Sequence, residues 1–136
     1  MADVTLTGSG VVAGAGAVVI EGTAGETITQ GKAVYLLAST NEYMIADCTD
    51  ADKDAAIGFA TTASIDGGPI KVLSEGDMTT ASELTAGTVY ILSASGAICP
   101  AADFSVATDA LTVVGAASSA TNLKVKPIVT SYGITG

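Results

Sequence analysis

Residues Ile28-Thr29-Gln30-Gly31-Lys32-Ala33-Val34-Tyr35-Leu36-Leu37-Ala38-Ser39 return, with one residue deleted, as Leu84-Thr85-Ala86-Gly87-Thr88-Val89-Tyr90-Ile91-Leu92-Ser93-Ala94, about 56 residues later. The likeness continues outward. Ile57-Gly58-Phe59-Ala60-Thr61-Thr62-Ala63 matches Val114-Gly115-Ala116-Ala117-Ser118-Ser119-Ala120. After each comes a turn and an apolar run, Pro69-Ile70-Lys71-Val72-Leu73 and Val125-Lys126-Pro127-Ile128-Val129. The chain is an internal duplication.

Each copy reads as a set of strands. An [IL]-T-x-G turn leads into a strand at Val34 to Ala38 or Val89 to Ser93, then a polar tip, then a return strand at Tyr43 to Ala46 or Ala97 to Cys99. This is hairpin spacing with hairpin turn chemistry. Further strands are expected at Ile57 and Val114 and at the two apolar runs that follow. The continuous apolar run Val34-Tyr35-Leu36-Leu37 suits a strand covered on both faces. No segment has the length and period of a helix. The expected fold is therefore all-β: two tandem small barrel-like (β-tulip-like) units, residues 25–80 and 81–136, packed as one body. Residues 1–24 form an extended Gly/Ala-rich arm ahead of them.

Composition narrows the chemistry. The 136 residues include 16 Gly, five Lys and no Arg, His or Trp, with 14 acids and a net charge of −9. The absent residues remove a His base, a His-held metal and an arginine clamp. Twelve of the acids lie in residues 1–83, where only Lys32, Lys53 and Lys71 oppose them. Such a surface repels nucleic acid and anionic membranes, so neither is an expected partner. No run approaches the roughly 20 apolar residues of a membrane span. Met1-Ala2-Asp3-Val4 lacks the basic start of a signal peptide, which predicts synthesis and use in the cytoplasm.

Catalytic constellations are likewise missing. There is no SxxK or GxSxG for an activated serine. Cys48 stands beside Asp47 and Asp50, whose charges disfavour a thiolate, and Cys99 precedes Pro100 in an apolar strand. Asp50-x-Asp52-x-Asp54 imitates the start of a calcium loop, but Ala55 stands where the turn glycine belongs and Thr61 where the bidentate Glu belongs. Gly8-Ser9-Gly10 with Gly14 and Gly16 is not followed by GK[ST], so it is no phosphate loop. A lipoyl- or biotinyl-type carrier would also be a doubled flattened barrel, yet Lys53 falls far from the required hairpin and no Met-Lys-Met occurs. The expectation is a protein with no catalytic residues, no cofactor and no metal.

The phrases Gly25-Glu26-Thr27-Ile28-Thr29-Gln30-Gly31-Lys32-Ala33-Val34-Tyr35-Leu36, Ala56-Ile57-Gly58-Phe59-Ala60 and Ile70-Lys71-Val72-Leu73-Ser74-Glu75-Gly76 occur in that order. So ordered, the chain resembles the head decoration or capsid cement proteins of tailed bacteriophages. The resemblance spans about residues 21 to 133. It implies a β-rich protein on the capsid exterior of the virion, bound to the major capsid protein and commonly trimeric, that reinforces capsomer junctions. Gly31, Tyr35 and Gly58 in the first unit, and Gly87, Tyr90 and Gly115 in the second, carry over as fold positions. A fibre or cell-surface adhesion module shares the β composition, but only four Tyr and two Phe are present to face a glycan.

With few charges, contact should rest on apolar area and backbone pairing. Val4, Leu6, Val11, Val12, Val18 and Ile20 flank the glycine spacers of the arm, and are the expected interaction residues. An extended segment of this kind adds to a sheet edge through main-chain hydrogen bonds. Either a neighbour's sheet or the chain's own receives it.

Overall fold

The structure, a computed structural model, describes residues 3, 4, 6–104 and 110–130. The remaining parts of the expected arm (1, 2, 5) and second unit (105–109, 131–136) lie outside the described residues. Ten strands follow one another: β1 Val12–Ala13, β2 Val18–Thr23, β3 Ala33–Leu37, β4 Glu42–Ile45, β5 Gly58–Ala60, β6 Pro69–Thr79, β7 Val89–Leu92, β8 Ile98–Pro100, β9 Thr112–Ser119 and β10 Asn122–Val129. Three short 3-10 turns, and no α-helix, complete the described residues. The protein is all-β.

The strands form one antiparallel sheet in the order β4-β3-β5-β6-β10-β9-β7-β8, curled into a half-barrel. The order reads the same from both ends: hairpin, central strand, long strand. Backbone bonds repeat with it. Gly31 N–H donates to the Ala60 carbonyl at 2.8 Å, and Gly87 N–H to that of Ala117 at 2.8 Å. Ile28 donates to Ser64 at 2.9 Å and Leu84 to Ala120 at 3.2 Å. Both turns place glycine at positive φ, +96° at Gly31 and +82° at Gly87, where a side chain would be strained.

Two details of the alignment are corrected. Val34 pairs with Gly58, whereas Tyr90 pairs with Gly115. So Tyr90 stands opposite its glycine where Val34, not Tyr35, stands in the first copy. The deleted residue is the reason: one residue shifts a strand's whole alternation. The final runs also match differently, Leu73 pairing with Phe59 and Lys124 with Ala116. The second copy turns tightly at Ala120–Thr121, while the first needs the longer connection Thr61–Gly68.

β6 is the longest strand, and it serves both halves. Residues 69–75 pair with β2 and, at Val72 and Leu73, with β5; residues 76–79 pair with β10 and, at Met78 and Thr79, with β1. Gly76, at φ +105°, lies against Ala17 so closely that its Cβ would fall 2.7 Å from the Ala17 Cα. The main core gathers side chains from the whole chain, among them Val11, Tyr35, Phe59, Met78, Tyr90, Leu92 and Leu123. A smaller cluster, with Ile28, Val34, Tyr43, Ile70 and Val72, fills the curl of the first half.

Candidate functional site

Of the two receivers open to the arm, a neighbour's sheet or the chain's own, the described residues lie on the chain's own sheet. The cause is β6, whose outer edge would otherwise face water with its N–H and C=O groups unpaired. β1 and β2 lie antiparallel along that edge, Val12 opposite Thr79 and Ile20 opposite Val72. Further back, Val4 bridges to Ile98, donating its N–H to the Ile98 carbonyl at 2.7 Å. The Ser93 hydroxyl donates to Asp3 Oδ1. Thr7 N–H donates to Glu83 Oε2 at 3.1 Å.

The six expected interaction residues are therefore divided. Val11 is fully buried in the main core, and its carbonyl accepts from Gln30 Nε2 at 2.7 Å. Val4 and Leu6 are half-buried against that core, and Ile20 against the smaller cluster. Only Val12 (52% exposed) and Val18 (49%) face solvent strongly. Val19, beside them, is 38% exposed and was not singled out by sequence, because the run Val18-Val19-Ile20 has no alternation to reveal a face.

The fold positions sit where backbones meet. A Cβ on Gly58 would strike the Leu73 carbonyl oxygen, and one on Gly115 the Lys124 carbonyl oxygen. Tyr35 and Tyr90 are both buried in the main core. The Tyr90 hydroxyl accepts the Thr85 N–H at 2.9 Å.

Electrostatics are mostly local. In the acidic loop, Asp47 Oδ1 accepts from the Thr49 amide (2.9 Å) and hydroxyl (2.7 Å), and Asp50 Oδ1 accepts from the Asp52 amide at 2.9 Å. Partial burial works to raise the Asp47 pKa, but the bonds from Thr49 and Ser95 and the charge of Lys53 hold it below the ordinary value. Asp54 is raised instead, by burial and by the neighbouring Asp50 and Asp52. These carboxylates shape their own loop. Glu83 is also held low: burial opposes it, and hydrogen bonds from Thr7 and Ala81 outweigh that cost. Among the described residues no three His, Cys, Asp or Glu side chains gather as a metal site. Cys48 and Cys99 are buried and form no disulfide.

A cleft of about 310 Å³ lies between Val4, Leu6, Gly8 and Ser9, the Thr29–Lys32 turn and Gly96–Ile98. Among the described residues Lys32 is the only charged one that lines it, with no acid–base pair there to move a proton. No protein-family model matches the chain, and no curated protein sequence matches it.

Proposed function

We propose that this chain is a non-enzymatic structural protein that binds the outer surface of a tailed-phage capsid and stabilises capsomer junctions. The carrying observation is the ordered set of phrases from Gly25 to Gly76, which resembles capsid decoration proteins. Two further observations support it. The chain has no His or Arg, and its cleft holds no acid–base pair. Its exposed large apolar side chains, Val12, Val18 and Val19 on the arm and Ile128 and Val129 on β10, suit contact without salt bridges.

In this reading the two copies are small barrel-like units sharing β6, and the arm is a binding element seated on its own sheet. The chain acts as a homo-oligomer, a trimer by the resemblance, with the major capsid protein as partner. It is made in the host cytoplasm and resides on the virion exterior.

Co-sedimentation with expanded heads of the phage that encodes it is the test. The wild-type chain is expected to pellet with heads, with little dependence on salt. Val12→Lys with Val18→Lys should abolish attachment while leaving the melting temperature nearly unchanged. Absence of wild-type attachment, or attachment that weakens steeply with salt, overturns the reading.

A further inference from the structure

Among the described residues, several sheet edges carry a device that limits further pairing. On β4, whose outward groups belong to Tyr43 and Ile45, the Tyr43 carbonyl accepts from Gly25 N–H at 2.9 Å and the Ile45 N–H donates to Glu26 Oε2 at 2.9 Å. On β8, the outward Ile98 carbonyl is taken by Val4, and Pro100 has no N–H to present. On β10, beyond the reach of β6, stands Pro127. The Val11 carbonyl ahead of β1 is taken by Gln30. These are the devices by which natural sheets avoid edge pairing.

β2 is covered by β4 only at its end, where Ala24 bridges to Tyr43 and Gly25 N–H donates to the Tyr43 carbonyl; along Val18–Glu21 none of these devices is present. Its residues read Val18-Val19-Ile20-Glu21-Gly22-Thr23, with one charge and no proline. Direction follows from the neighbouring bonds. Ala24 N–H donates to the Gly68 carbonyl on the β6 side, so Gly22 and Ile20, at even spacing, also point toward β6. On the other strand the Lys71 carbonyl accepts from Thr61, away from β2, as this parity requires. The N–H and C=O groups of Val19 and Glu21 therefore point outward, and among the described residues nothing pairs with them.

We infer that the outer edge of β2 pairs antiparallel with β2 of a second copy, about a two-fold axis through Ile20. In that register Val19 faces Glu21 of the second copy twice over, and the four outward N–H groups meet four outward carbonyls. Ile20 meets its own mate. The edge is self-complementary: each Glu21 faces a valine, not another acid, and keeps Lys71 of its own chain 3.8 Å away. Exposed Val18 and Val19 lose water at the same contact. This is an isologous interface. It does not rest on the capsid reading, but it buries the Val18 and Val19 that the capsid reading also uses, so at this edge the two contacts exclude each other.

Sedimentation equilibrium of the full chain tests it, from micromolar to submillimolar concentration. The wild type should self-associate reversibly and more tightly as salt rises, because two chains of net charge −9 repel. Val19→Pro deletes only an outward N–H, and should weaken association by at least about tenfold, the effect of one or two net backbone bonds, without lowering the melting temperature much. Ile20→Pro, which deletes a bond to β6, should instead destabilise the fold. Should Val19→Pro melt early, Ile20→Cys decides: under mild oxidation the new thiols should link two chains across the axis. A wild type that stays monomeric throughout, association indifferent to a folded Val19→Pro, or no cross-link through Ile20→Cys overturns the inference.

Discussion

In the first half of the sheet Gly31 donates to Ala60 and Ile28 to Ser64; in the second, Gly87 donates to Ala117 and Leu84 to Ala120. Around this shared backbone the side chains part ways. The first half closes its outer hairpin with a carboxylate, Glu26 on Ile45 N–H; the second uses Pro100 and the chain's own Val4. The first packs Val34 opposite its glycine, the second a full tyrosine. The difference teaches that pairing pattern and close backbone approach define the repeated unit, while side chains adapt to local edges.

The largest effect is expected from filling the two glycines. Gly58→Ala and Gly115→Ala each push a Cβ into a carbonyl oxygen of the neighbouring strand, with backbone atoms that cannot swing aside. Each is expected to cost about 3 kcal/mol in urea unfolding, at the upper end of overpacking effects. A benign Gly115→Ala beside a damaging Gly58→Ala would separate the two halves. Next in size is the tyrosine pair. Tyr90→Phe strands the part-buried Thr85 N–H and should lose about 1–2 kcal/mol. Tyr35→Phe, which breaks no hydrogen bond among the described residues, should lose almost nothing.

Glu26→Ala comes third, since it leaves Ile45 N–H without its acceptor at the edge of β4; about 1 kcal/mol is expected from the same melts. The smallest effect is a pH dependence at Glu83. Its folded pKa lies below the ordinary carboxylate value, so its contribution is complete above that value and lost as pH falls through the depressed one. Stability measured from neutral pH downward should drop slightly less in Glu83→Gln than in the wild type, because the variant has no such carboxylate to protonate.

Much of the local structure was legible in the sequence. The [IL]-T-x-G phrases located both turns, and the hairpin strands begin and end within a residue or so of their expected places, Ala33–Leu37 with Glu42–Ile45 and Val89–Leu92 with Ile98–Pro100. Local turn chemistry decides such elements. The length of β6 was not legible, because Ser74-Glu75-Gly76-Asp77 reads as a turn and becomes strand only where β10 and the arm flank it. Nor was the flip that puts Tyr90 opposite Gly115, since a deletion shows where residues are missing but not which partner strand slides. Of the candidate interaction residues, Val12 and Val18 are exposed and Val11 is core. Their composition is alike, and only the seating of the arm on β6 distinguishes them.

Residue-resolved amide hydrogen exchange shows whether one backbone pattern is laid down twice. Ala24, Ile28 and Gly31 should be protected together with Thr80, Leu84 and Gly87, each donor matched by its counterpart in the other half. At low concentration Val19 and Glu21 should exchange freely between protected Ile20 and Gly22. Free exchange at Thr80, Leu84 and Gly87 beside protected Ala24, Ile28 and Gly31 would mean that the second half does not repeat the first.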